Sequence, residues 1–215
     1  MTRDWVAWHR DYDNPQSSLA RRLRVVQDFI RQAMQQLAVE RPIALRILSL
    51  CAGDGRDLLP VLAEGHDLPA RALLVEQDPH LAEHARRRAA ELDLSGVDVA
   101  CGDAGDTTVY ANHAPAHLVL ACGVFGNITT DDARTTVAAL RRLTLPGGFV
   151  IWTRARESTT DPSFDLRSWF IDEGFTERVF SAPEDERFRV GMNQLSLGRA
   201  QPFRPGVRMF SFTDQ

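Results

Sequence analysis

Hydrophobic positions along this chain change period twice. Leu19, Leu23, Val26, Ile30, Ala33 and Leu37 recur at three- and four-residue spacing. That predicts a long amphipathic helix, which Ser17 or Ser18 can cap and Pro42 ends. Short apolar runs then alternate with further helical stretches. Residues 43–51, 72–75, 97–100, 118–122 and 149–153 read as strands. Helices are predicted through Leu62 after the first strand, over 79–92, over 131–143 and over 164–173, with Gly174 after the last. Pro146-Gly147-Gly148 reads as a turn. The runs near 176–180 and 188–195 have no helix between them and should pair as an antiparallel hairpin. The alternation predicts an α/β fold with a doubly wound, mostly parallel sheet. In such sheets ligands bind beyond the C-terminal ends of the strands.

Composition narrows the chemistry. With 215 residues, 44% of them hydrophobic, the chain suits one domain with a sizeable core. Its 25 basic residues are all arginines. Without lysine there is no Schiff-base pyridoxal chemistry and no P-loop phosphate cradle. A net charge of −4 gives no reason to expect nucleic acid as a partner. Cys51, Cys101 and Cys122 are far apart and form neither a CxxC pair nor a metal pattern, so no metal is expected. Free thiols, a start without an apolar signal core and no membrane-length apolar run lead to the expectation of a cytoplasmic protein that does not enter a membrane.

The most informative stretch is Ile47-Leu48-Ser49-Leu50-Cys51-Ala52-Gly53-Asp54-Gly55-Arg56-Asp57. A strand runs into Gly53-x-Gly55 and then into a helix, and glycine lets a backbone turn tightly and approach a ligand. The next strand ends in Glu76, 23 residues after Gly53. That is near the ~20 expected for a carboxylate that binds ribose hydroxyls. The dinucleotide fingerprint needs a small residue where this chain has Leu58. Asp54 and Asp57 would repel a pyrophosphate, but suit the ammonium and sulfonium of S-adenosylmethionine.

The segment resembles motif I of class I S-adenosylmethionine-dependent methyltransferases. Val75-Glu76-Gln77-Asp78-Pro79 resembles the end of their second strand, Gly102-Asp103-Ala104 their third-strand loop, and Leu145-Pro146-Gly147-Gly148 the turn before their fifth strand. The resemblance covers roughly residues 45–195. It implies a Rossmann-like fold with sheet order 3-2-1-4-5-7-6 and strand seven antiparallel. Residues 1–42 would form a helical cap and 43–215 the core of a single domain. It further implies a cofactor site over Cys51, Ala52, Gly53 and Gly55, with Glu76 and Gln77 at the ribose and Asp103 and Ala104 at the adenine. Ala121 and Cys122 would line the neighbouring strand end. Two departures stand out. Ser49-Leu50 supplies no acid before the glycine turn. Strand four ends Ala121-Cys122-Gly123-Val124-Phe125-Gly126-Asn127, without the Asn/Asp-Pro-Pro-aromatic motif of base amino-methylases. That speaks against base methylation.

The acceptor side is read from single residues. Trp5, Trp8, His9 and Tyr12 share one helical face and could cover the cleft as a lid, with Trp5 and Trp8 as substrate walls. His9, Tyr12 and Asp13 are weak candidates for a base. Arg22 borders the buried side of the long helix and suits the methionine carboxylate of the cofactor. Arg154 and Arg156 follow strand five and could face substrate; Arg154 better suits an anionic acceptor, and Phe125 could pack against it. The reading is methyl transfer to an oxygen or nitrogen of a small molecule by in-line displacement. A nicotinamide-dependent oxidoreductase and a non-catalytic S-adenosylmethionine-binding protein stay open beside it.

Overall fold

The apolar runs assemble into one seven-stranded sheet of order β3-β2-β1-β4-β5-β7-β6. The computed structural model describes residues 10–40, 44–65, 69–156, 161–198 and 201–213. The strands are β1 Leu45–Leu50, β2 Ala70–Glu76, β3 Val97–Cys101, β4 Ala116–Ala121, β5 Thr144–Ala155, β6 Phe175–Ser181 and β7 Phe188–Leu195. Neighbours from β3 to β5 pair in parallel, and β7 runs antiparallel to both β5 and β6. The helices are α1 Ser18–Glu40, α2 Leu59–Ala63, α3 Pro79–Glu91, α4 Thr130–Leu143 and α5 Ser163–Asp172. Both the strand order and the β6–β7 hairpin match the expectation.

Side-chain alternation explains why the sheet is covered on both sides. Leu45 and Ile47, Leu118 and Leu120, and Phe149 and Ile151 pack against Val26, Ile30, Ala33 and Leu37 of α1 and against α3. The intervening Leu48, Leu50, Val119, Val150 and Trp152 pack against Val137 and Leu140 of α4 and Leu166 and Phe170 of α5. Each fully buried aliphatic side chain contributes about 1.5–3 kcal/mol. The long helix is therefore part of the core of the domain. Ser17 caps it, its hydroxyl accepting from the Ala20 amide at 3.0 Å. Leu19 and Leu23, in its first turns, are only half-buried, because that end projects past the sheet.

One expected turn is absorbed into a strand. Pro146-Gly147-Gly148 lies within β5, which pairs with β4 first at Thr144 and Ala116, then again from Phe149 and Leu118 after a register shift. The glycines form an irregularity inside the ladder, with Gly147 at φ 79°.

After β7 the chain returns as a strap over the ends of the sheet. The Thr107 amide donates to the Val207 carbonyl at 3.0 Å, and the Met209 amide to the Gly105 carbonyl at 2.7 Å. The Thr213 amide donates to the Asn127 carbonyl at 2.9 Å. Met209 and Phe210 are buried against the α4 side of the core.

Candidate functional site

A cleft of about 840 Å³ opens at the C-terminal ends of the parallel strands, with Cys51, Ala52 and Gly53 at its centre. The turn after β1 is left-handed at three positions: Cys51 (φ 51°), Gly53 (φ 57°) and Gly55 (φ 78°). Such a conformation costs a non-glycine residue about 1–3 kcal/mol and is concentrated at functional sites. The Ala52 amide donates to the Val75 carbonyl at 2.9 Å, which ties the turn to the end of β2.

Glu76 closes this turn. Its Oε2 accepts from the Gly53 amide at 2.8 Å and its Oε1 from the Asp78 amide at 2.9 Å. The carboxylate is thus held by backbone and lines the cleft, with lone pairs left for a ligand. Asp103 is held in a similar way: its Oδ1 accepts from the Gly105 amide at 2.8 Å, while its Oδ2 pairs with Arg208 of the strap. Gln77, Asp78 and Ala104 complete this acidic end, with Phe210 and Phe212 across from them.

Opposite the turn stands Tyr12, in a 3₁₀ segment Arg10–Asp13. Its hydroxyl accepts a hydrogen bond from Arg22 Nη2. The Arg22 and Arg56 guanidinium carbons lie 5.6 and 4.7 Å from its ring centroid. Burial pushes the Tyr12 phenol well above its ordinary value, against the pull of Arg22. The phenol is therefore neutral near pH 7 and acts as a hydrogen-bonding group. Asp13 is exposed and pairs with Arg56 at 3.4 Å; it does not line the cleft.

The glycine-turn acids divide. Asp54 is buried and grips Arg56, Nε to Oδ1 at 2.8 Å and Nη2 to Oδ2 at 2.6 Å. It faces a separate groove beside α3, so it cannot repel a ligand in the cleft as its sequence position implied. Asp57 does line the cleft. Burial raises the thiols of both Cys51 and Cys122, which keeps them protonated and fits small core residues. Among the described residues no group of three or more acidic, histidine or cysteine side chains could hold a metal.

The structure brings together most of the expected site: Tyr12, Arg22, Cys51, Ala52, Gly53, Glu76, Gln77, Asp103, Ala104, Cys122 and Arg154 all line the cleft. Gly55 shapes the turn from beneath, and a Cβ there would meet Leu59 Cδ1 at 2.5 Å. Ala121 is buried within β4. Phe125, expected as an acceptor wall, is fully buried among Trp152 and Phe170; only its carbonyl reaches the site, accepting from Arg154. Trp5, Trp8 and His9 lie outside the described residues. Arg156, expected with Arg154 after strand five, lines the cleft as well. Missed from the sequence were Asn127, Arg187 and the strap residues Arg208, Phe210, Phe212 and Thr213. An apolar Met209-Phe210-x-Phe212 pattern near a polar end was the available signal for the strap.

Residues 47–148 match the methyltransferase-domain family. No curated protein matches the chain in sequence. Among solved structures it is similar to an O-methyltransferase family protein from Burkholderia thailandensis, at 17% identity and TM-score 0.64, covering 82% of this chain. This chain spans 58% of the length of that protein. It is also similar to magnesium protoporphyrin IX methyltransferase from Synechocystis PCC 6803 with bound SAH, at 15% identity and TM-score 0.65, covering 89% of this chain and 94% of that one. A third similarity is to a Methanococcus jannaschii fibrillarin, a pre-rRNA processing protein, at 16% identity and TM-score 0.57, covering 71% and 67%. The shared fold thus occurs both in a porphyrin methyltransferase and in a pre-rRNA processing protein. No helix among the described residues is long and apolar enough to cross a membrane.

Proposed function

We propose that this chain is an S-adenosylmethionine-dependent methyltransferase that methylates an oxygen or nitrogen of a small-molecule acceptor by in-line displacement, a reading supported by the methyltransferase-domain match over 47–148 and by the sheet order. The observation that carries the reading is Glu76, a carboxylate fixed by the Gly53 amide at the mouth of an open, left-handed turn. It is placed to accept from the two ribose hydroxyls. The cleft also fits S-adenosylmethionine in size, since about 840 Å³ is near the top of the roughly 300–1,000 Å³ range of small-ligand pockets and leaves room for an acceptor.

Within this reading Asp103 and Ala104 meet the adenine, and Phe210 and Phe212 flank it. Cys51, Ala52 and Gly53 lie under the ribose, with Gly55 shaping the turn. Ala121 and Cys122 bound the cleft at the end of β4. Arg22, oriented by the Tyr12 hydroxyl, binds the cofactor carboxylate. The bound sulfonium supplies an activated methyl group, so the chain's task is alignment and exclusion of water. Arg154, tied to the Phe125 carbonyl, fixes the acceptor side. Trp5, Trp8 and His9, which lie outside the described residues, stay candidates for acceptor contact, whereas Asp13, turned away from the cleft, does not.

Calorimetric titration of S-adenosylhomocysteine against NAD tests the reading. Binding of the former alone is expected. Preference for NAD would refute it and revive the oxidoreductase alternative.

A further inference from the structure

One end of the cleft is still without a role. Arg154 and Arg156 stand two residues apart at the end of β5, so they point to the same side. Arg187 precedes β7, and the antiparallel register that sets Ala155 against Phe188 brings it beside Arg156. The Arg156 amide donates to the Arg187 carbonyl at 2.7 Å. All three side chains line the cleft.

These guanidiniums are anchored by main-chain carbonyls. Arg154 donates to the Phe125 carbonyl. Arg156 Nη2 donates to the Glu184 carbonyl at 3.0 Å. Arg187 Nε and Nη2 approach the Arg156 carbonyl at 3.4 and 3.5 Å. Neutral acceptors orient the Arg156 and Arg187 guanidiniums without discharging them. Other arginines nearby are matched with carboxylates: Arg21 with Glu186, Arg167 with Glu177 and Arg189 with Asp161. Among the described residues neither Arg156 nor Arg187 has a carboxylate within 4.0 Å.

The cleft is therefore polarised. Glu76, Asp78 and Asp103 mark the β2–β3 end and the arginines mark the β5–β7 end. With the adenosine on the acidic end, the sulfonium falls over β4, and the basic end is left to the acceptor. We propose that the acceptor carries an oxyanion, a carboxylate or a phosphate, held by Arg156 and Arg187 with Arg154 on its β4 side. This rests on the methyltransferase reading for the placement of the cofactor. The oxyanion is the anchor and not the methylated atom, because paired guanidinium contacts occupy the lone pairs an attack would need.

The probes are inorganic phosphate and benzoate, titrated into the S-adenosylhomocysteine-saturated protein. At least one is expected to bind. The double variant Arg156→Gln/Arg187→Gln should lose about tenfold or more of that affinity, as expected for charge-assisted contacts. Its S-adenosylhomocysteine affinity should be unchanged, which also shows that it folds. Binding of phosphate alone assigns a phosphorylated acceptor, and binding of benzoate assigns a carboxylate. Failure of both to bind would overturn the proposal. So would an undiminished affinity in the double variant, or an equal loss in the control Arg87→Gln on the outer face of α3. If S-adenosylhomocysteine itself does not bind, the methyltransferase reading fails separately, and the same anion titration of the unliganded protein decides the arginine cluster.

Discussion

The two ends of the cleft are built by different means. At the β2–β3 end, carboxylates are pinned by backbone amides of one β-α-β unit and the loop that follows it: Glu76 by Asp78 two residues on and by Gly53 in the turn after β1, Asp103 by Gly105. At the β5–β7 end, guanidiniums from distant parts of the chain lean on carbonyls: Arg154 on Phe125, Arg156 on Glu184, Arg187 on Arg156. The first arrangement is local and rigid. The second exists only when β4, β5 and β7 have already assembled. On the proposed reading, the cofactor end can thus be written as a short motif, whereas the acceptor end is a property of the whole sheet.

The comparison breaks most sharply at Gly53. Gly53→Val should remove measurable S-adenosylhomocysteine binding, because a β-branched residue resists φ 57°. The fold should survive, which circular dichroism and thermal melting would check; retained binding would place the ligand elsewhere. Glu76→Ala comes next. Leaving ribose hydroxyls and the Gly53 amide without their carboxylate should weaken S-adenosylhomocysteine by roughly 1–3 kcal/mol in calorimetry. Tyr12→Phe probes the far side. It removes only the hydroxyl that orients Arg22, and should weaken the same ligand by about 1 kcal/mol. Arg208→Gln should weaken it less still, since the ion pair with Asp103 is half-exposed and screened by solvent. A large loss there would make the strap a principal binding element.

The smallest effect concerns pH. Hydrogen bonds from Arg21 and Ser18 hold the Glu186 carboxyl below its ordinary value of 4.5. A lowered folded pKa stabilises above the ordinary value, and the contribution fades as pH falls through the folded one. Glu186→Gln should therefore lower the urea midpoint slightly near pH 7. The gap to the unaltered protein should close below pH 4.5. A gap that persisted in acid would assign the loss to packing.

The same contrast explains what could be read in the sequence. The strands were visible because both faces of β1, β4 and β5 are buried, which leaves continuous apolar runs. Glu76 was visible through its spacing from Gly53, a distance along the chain that maps onto one β-α-β unit. Phe125 was misplaced because a loop residue's side chain and carbonyl can serve opposite sides, and sequence does not say which faces the ligand. Arg187 and the strap carry no periodic signal. Their positions follow from an antiparallel register and from backbone hydrogen bonds between residues about 85–105 apart, such as Thr213 with Asn127 and Met209 with Gly105.

The strap offers a way to follow occupancy of the acidic end of the cleft by mass spectrometry. The amide hydrogens of Met209 and Thr213 are held by the Gly105 and Asn127 carbonyls, on the two loops that frame the cleft. Their exchange with deuterium proceeds only when those bonds open. A compound that settles between the loops resists that opening and slows deuterium uptake in the peptide containing residues 207–213. Adenosine-containing ligands can therefore be screened without isotopic labelling of the ligand and without turnover, by asking which of them delays deuterium uptake there while the outer helices exchange at an unchanged pace.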